Sequence, residues 1–110
     1  MNPTSSKERR AEPRSGARHS WDFLTNHAHV LLCVARDPNI RLRDLAAAIG
    51  ITERAAHRIL SELVDEGYVL REKEGRRNRY EVMPSQRLRH PLVDERQVGD
   101  LLKVLVRAES

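Results

Sequence analysis

The sequence predicts a mainly helical α+β fold, in which amphipathic helices dominate and one small β-hairpin follows them. Apolar residues recur at spacings of three and four in four separate segments, most of them closed by Gly or Pro. After Gly67 the period switches to two, and a Gly-containing turn interrupts it. A length of 110 residues, 39% hydrophobic and 33% charged, allows one domain with tails rather than two cores.

Residues 1–20 are rich in Ser, Pro, Arg and Glu without apolar periodicity. They cannot bury enough surface to offset ordering entropy, so a disordered basic tail is expected there. Ordered chain should begin near Trp21. Thr25 or Asn26 suits the cap of a first helix that runs to about Arg36, where Asp37-Pro38-Asn39 ends it as a turn. Leu24, Ala28, Leu31 and Ala35 form one apolar stripe on that helix, while Val30, Leu32, Cys33 and Val34 occupy much of the remaining circumference. Such a helix is buried on more than one side, one toward the core and another toward a partner chain. Ile40-Arg41-Leu42 alternates enough for a minimal strand.

A second helix over Arg43 to Ile49 turns Leu45, Ala46 and Ile49 inward and stops at Gly50, which readily takes the left-handed conformation of a helix end. Thr52 caps a third helix, Glu53 to Glu66, with Ala56, Ile59, Leu60, Leu63 and Val64 inward and Gly67 as terminator. Tyr68 to Lys73 then alternates, Gly75-Arg76-Arg77-Asn78 supplies turn chemistry, and Arg79-Tyr80-Glu81-Val82 alternates again, which reads as a hairpin with a basic tip. Pro84 and Pro91 bracket an irregular connector over 84–93. In the last segment, 94–110, Asp94 suits the cap of a helix to about Arg107 whose Val98, Leu101, Leu102, Leu105 and Val106 form one stripe.

Several classes are excluded or disfavoured at once. A single Cys makes no intramolecular disulfide, so a disulfide-stapled secreted scaffold is out. The longest apolar run, Val30 to Ala35, falls far short of the roughly 18 residues of a membrane span. The first residues lack the apolar core of a secretory signal, so the expected location is the cytoplasm. The net charge of +4 fits a polyanionic partner without requiring one. Its distribution is more telling: residues 68–93 carry seven Arg or Lys against three Glu, and residues 1–20 carry five against two.

The chemistry-bearing constellation is the pair of helices joined through Gly50 and Ile51. Ala46 lies four residues before the glycine and Ala56 six after it. Small residues are needed where two helices cross, and Gly where the backbone turns sharply. With the stretch LRDLAAAIGITERAAHRILSELVDEGYVLREKEGRRNRYEV, the sequence resembles winged helix-turn-helix transcription regulators, particularly the MarR-like and ArsR-like groups, over about Leu24 to Val82. The resemblance implies a winged helix-turn-helix domain over 21–83, with the segment 94–110 added as a dimerisation helix.

It also implies that the first half of the third helix enters the major groove of double-stranded DNA. Arg54, His57 and Arg58 are then candidates for base edges, with Ser61 at the groove margin and Thr52 with the first free amides at a phosphate. Charge supports that orientation independently, since Glu62, Asp65 and Glu66 crowd the other half. Arg76, Arg77, Asn78 and Arg79 in the hairpin correspond to the wing, on backbone or minor groove. Lys7, Arg9, Arg10, Arg14 and Arg18 of the tail either track phosphates or do nothing specific.

His27, His29 and Cys33 raise a metal reading, but a Cys within VLLCVA is more often a small buried hydrophobe and no second Cys completes a ligand set, so no metal and no cofactor is expected. No Gly-rich phosphate loop, nucleophile elbow or evident carboxylate pair suggests an enzyme. The last helix has more apolar stripe than a domain of this size covers, so Val98, Leu101, Leu102 and Leu105 are expected to join a second copy, with Gly99 at a close crossing. The expectation is therefore a homodimeric, sequence-specific DNA-binding transcriptional regulator, cytoplasmic and nucleoid-associated. Its rivals are a winged-helix protein-interaction module and a regulator responsive to an effector or metal held between the first and last helices; the effector itself is unknown.

Overall fold

The computed structural model describes residues 20–93 and 95–106. The basic tail expected over 1–20 therefore lies outside the described residues except for Ser20, as does Asp94. Along the described chain run α1 (Asn26–Arg36), α2 (Leu42–Ile49), α3 (Glu53–Asp65), β1 (Val69–Glu74), β2 (Arg77–Val82) and α4 (Val98–Leu105).

The caps explain the helix limits. Thr25 accepts a hydrogen bond from the Ala28 amide at 3.2 Å and opens α1; Thr52 does the same for Ala55 at 3.0 Å and opens α3. Between α2 and α3, Gly50 sits at φ +89°, and the amides of Gly50 and Ile51 both donate to the carbonyl of Ala46, at 2.8 and 3.0 Å. That pair of bonds closes the α2 end and turns the chain within three residues. Ala46 and Ala56 are buried where the two helices meet, as the crossing demands.

The core is assembled from one face of every element. Val30, Leu31 and Val34 of α1 meet Leu45 of α2 and Ile59, Leu60 and Leu63 of α3, and Val69 and Tyr80 of the hairpin close it from one side. Strands β1 and β2 pair antiparallel with Glu74 opposite Arg77 and Val69 opposite Val82. Gly75, at φ +64°, and Arg76 make a two-residue turn, so the turn is shorter than the four residues expected and Arg77 and Asn78 belong to the strand.

Three expectations are corrected. Ile40-Arg41-Leu42 is not a strand: Leu42 already begins α2, and contact with the hairpin is made by the Tyr80 amide donating to the Pro38 carbonyl at 2.9 Å. The connector after Pro84 is not merely irregular. Arg87 and Gln97 form an antiparallel bridge, flanked by bonds from Leu88 N to Arg96 O and from Val98 N to Gln86 O. That return sets the start of α4 at Val98, with Gln97 and Asp100 as a reciprocal capping box, rather than at Asp94.

The same return lays α4 on its own domain. Val98, expected to face a second copy, is 1% exposed within the core of its own chain. Leu102 packs partly against that core, and Leu101 and Leu105 are half-buried. Gly99 does stand at a close crossing, but with Pro84 of the same chain: a Cβ at Gly99 would lie 3.0 Å from the Pro84 Cβ and 3.1 Å from its carbonyl oxygen. The connector supplies the cover that the length of the winged domain alone did not promise.

Candidate nucleic-acid interface

Helix α3 turns one face to the core and the opposite face outward. Ala56, Ile59, Leu60 and Leu63 are its buried face. On the opposite side Arg54, His57 and Arg58 are all exposed and Ser61 is half-buried, so the four predicted groove-facing residues fall on one face at helical spacing. The side chains of Arg54 and His57 have no hydrogen bond or ion pair with another described residue. Thr52 stands at the exposed N-terminus of that face, though its hydroxyl oxygen is engaged as the cap.

Arg58 is different. Its guanidinium lies 3.6 Å from one carboxylate oxygen of Glu62, one turn further on, while the other oxygen of Glu62 lies 2.7 Å from Nε2 of His27 in α1. The hydrogen bond from His27, and then the charge of Arg58, hold the Glu62 carboxyl below its ordinary titration range. Glu66 is similarly taken up by Arg89 of the connector at 2.9 Å, and the same guanidinium lies over the Tyr68 ring. Glu62 in the second half of α3 and its C-cap Glu66 are thus engaged by partners in α1, α3 and the connector. Of the two arginines of the reading half, Arg54 has no carboxylate partner among the described residues.

In the hairpin, the predicted residues separate. Arg76 occupies the turn itself, exposed and without an ion pair or hydrogen bond to another described residue. Arg77 donates to the carbonyl of Asn39 and so ties the wing to the α1–α2 loop. Asn78 is half-buried and donates to the Tyr80 hydroxyl at 3.4 Å, inside the domain rather than toward solvent. Arg79 is half-buried opposite Glu72. The basic tip is therefore narrower than its sequence suggests, because Glu72 and Glu74 stand opposite Arg79 and Arg77 across the ladder.

The residues of the metal reading are dispersed in role. His27 is engaged with Glu62, His29 Nδ1 lies 3.3 Å from the Asn26 side-chain oxygen, and burial pushes the Cys33 thiol up, which favours its protonated form. Sequence reasoning missed the His27–Glu62 and Arg89–Glu66 contacts, since each joins residues more than twenty apart with no local signal. It also missed a cleft of about 550 Å³ bounded by α1, the second half of α3, the connector and α4. No helix among the described residues is long and apolar enough to cross a membrane.

Comparison with known proteins agrees with this geometry. Residues 25–69 match a family described as winged helix-turn-helix DNA-binding. The match spans α1 to α3 and ends on the first residue of β1, so it covers the helix-turn-helix and leaves the wing to the hairpin geometry. The chain is also similar to riboflavin kinase of Thermococcus kodakarensis, with 39% identity over 51 residues, which are 46% of this chain and 24% of that protein. This chain therefore spans about a quarter of the relative it matches.

Proposed function

We propose, from the premise that residues 25–69 form a winged helix-turn-helix DNA-binding domain, that the protein is a sequence-specific regulator of transcription acting as a homodimer on double-stranded DNA. The observation that carries this reading is the outward face of α3, where Arg54, His57 and Arg58 are exposed together beside the free N-terminal end of the helix. Arg presents a fork that matches the two acceptors of guanine, and a helix N-terminus suits a phosphate.

In this reading α3 lies in the major groove with Arg54, His57 and Arg58 toward base edges and Ser61 at the margin. Arg76 leads the wing onto the DNA backbone or into the minor groove. Arg79 supplements it, whereas Arg77 holds the wing in position through the Asn39 carbonyl and Asn78 is turned toward Tyr80 on its own strand. Two copies related by a two-fold axis present two recognition helices to half-sites about one helical turn apart. Regulation proceeds by occupying an operator, not by chemistry on a substrate. The kinase activity in the relative's name is said of that protein, of which the match covers a quarter. The MarR-like or ArsR-like subgroup and the nucleoid-associated, cytoplasmic location belong to the same proposal and rest on the sequence pattern alone.

Titration of the protein against mixed-sequence duplex DNA over a range of salt tests the reading. Phosphate contacts through Arg predict affinity that falls steeply as salt rises, with a slope of about 0.9 per phosphate neutralised. Absence of binding at low salt would replace the proposal with a winged-helix protein-interaction module, which the balanced acidic half of α3 would then serve.

A further inference from the structure

The cleft beside α3 and an unburied aromatic pair lie close together in the chain and are complementary in chemistry. Ala28, Leu31, Leu63, Leu88, Val98 and Leu101 give the cleft an apolar lining, and the His27–Glu62 and Arg89–Glu66 pairs form its polar rim. Val104, 78% exposed and one helical turn beyond Leu101, continues apolar surface away from it. Trp21 and Phe23 stand just before α1, stacked edge to face at 4.9 Å and left 64% and 91% exposed. Only Leu24 separates Phe23 from Thr25, which lies on the cleft wall, yet neither ring lines the cleft of its own chain.

We propose that the Trp21–Phe23 pair of one copy inserts into the α1–α3–α4 cleft of a second copy, and reciprocally, as the interface of the homodimer. The inference rests on the homodimer reading above and specifies its surface. A pair two and four residues before the cleft-lining Thr25, and outside the cleft of its own chain, can reach the identical cleft of a copy related by a two-fold axis, and both contacts then form together. Area favours this occupant. Aromatic side chains bury roughly 150–250 Å² each, so four rings with the walls they cover approach roughly 1,200–2,000 Å², the size of a specific interface.

Residues 1–19 and 107–110 contain no aromatic residue and no Leu, Ile or Val, so they offer nothing of the required chemistry. The interface would also leave the DNA-reading end free. Glu62 and Leu63 on the cleft belong to the second half of α3 and Glu66 is its C-cap, whereas Arg54, His57 and Arg58 belong to the first half.

Sedimentation velocity across a concentration series, read with tryptophan emission, tests the inference. Trp21 is the single tryptophan, so the emission reports the surroundings of this ring alone. The expected result is a dimer whose emission shifts to the blue as it forms. Phe23→Ser removes a ring that is almost fully exposed in the single chain, so the fold should melt unchanged while dimer dissociation rises by about a hundredfold or more, two contacts being lost per dimer. Ala28→Phe, which plugs the cleft, should have the same effect, and Leu101→Arg replaces it if that variant melts early.

Mixing Phe23→Ser with the plugged variant should restore partial association, because the ring of one then meets the open cleft of the other. A wild-type protein that stays monomeric would overturn both this inference and the homodimer reading. A wild-type dimer that survives Phe23→Ser, or survives the cleft variant, would overturn the inference alone. So would a mixture that shows no rescue.

Discussion

Nε2 of His27 in α1 lies 2.7 Å from the carboxylate of Glu62 in α3, and the same carboxylate faces the guanidinium of Arg58 at 3.6 Å. One acidic residue thereby joins the first helix to the helix that carries the candidate reading face. Glu62 competes with DNA for Arg58, and His27 lessens that competition by sharing its charge. Exposed pairs contribute little to stability, so the consequence is expected in binding rather than in folding.

Glu62→Gln should therefore tighten binding to duplex DNA of any sequence by a few-fold at low salt, with the gain shrinking as salt screens the removed charge. Fluorescence anisotropy of a labelled duplex at two salt concentrations checks this. Unchanged affinity at low salt would show that the carboxylate does not oppose Arg58.

The same residue gives a pH dependence of definite sign. The Glu62 carboxyl titrates lower in the folded chain than its ordinary value. Its contribution to stability is thus complete above the unfolded value and lost as pH falls through the folded one. The difference in melting temperature between wild type and Glu62→Gln should be small and should shrink as pH falls below the ordinary carboxylate range, about pH 4. A difference that persists unchanged well below about pH 4 would assign the dependence to another group.

Arg58→Ala should reduce discrimination more than affinity. A base-reading arginine is worth about 1–3 kcal/mol against the wrong base, so the ratio of specific to non-specific binding should fall roughly tenfold or more. Equal loss on all sequences would make Arg58 a phosphate contact.

The two wing arginines should part company. Arg76→Ala should weaken binding to all sequences alike and lower the salt slope by about 0.9, without moving the melting temperature. Arg77→Ala should also lower the melting temperature, because Arg77 ties the hairpin to the carbonyl of Asn39. Equal melting of both variants would contradict the anchoring role.

Gly99→Ala tests the close approach of α4 to Pro84. Alanine in a helix gains about 1 kcal/mol over glycine, but its Cβ would meet Pro84 at 3.0 Å, and the neighbour is largely backbone that cannot step aside. Overpacking of this kind costs about 1–3 kcal/mol, so net destabilisation is expected in a urea melt. A stabilised variant would show that α4 is free to shift.

How much was legible in the sequence follows the range of the interactions. Helices α1, α2 and α3 were readable because each depends on local signals: Thr25 and Thr52 as caps, Gly50 as a left-handed stop, and apolar spacing between them. The reading face of α3 was legible for the same reason, since it is the complement of a periodic buried face. Contacts between distant segments were not. Nothing near Val98 announces that the Arg87–Gln97 bridge will press it into the core, and an apolar stripe looks alike whether its own domain or a second chain covers it. Likewise the row of basic residues at Arg76 to Arg79 gave no hint that Arg77 and Asn78 bond inward, because that depends on strand register and on the α1–α2 loop.

The central claim, specific recognition of duplex DNA by two copies, is tested most directly by selecting bound sequences from a pool of random duplexes at two salt concentrations and sequencing what the protein retains. The account predicts an enriched inverted repeat with half-sites about one helical turn apart, retained more selectively at the higher salt. Retention without any enriched sequence, or none at low salt, would contradict it.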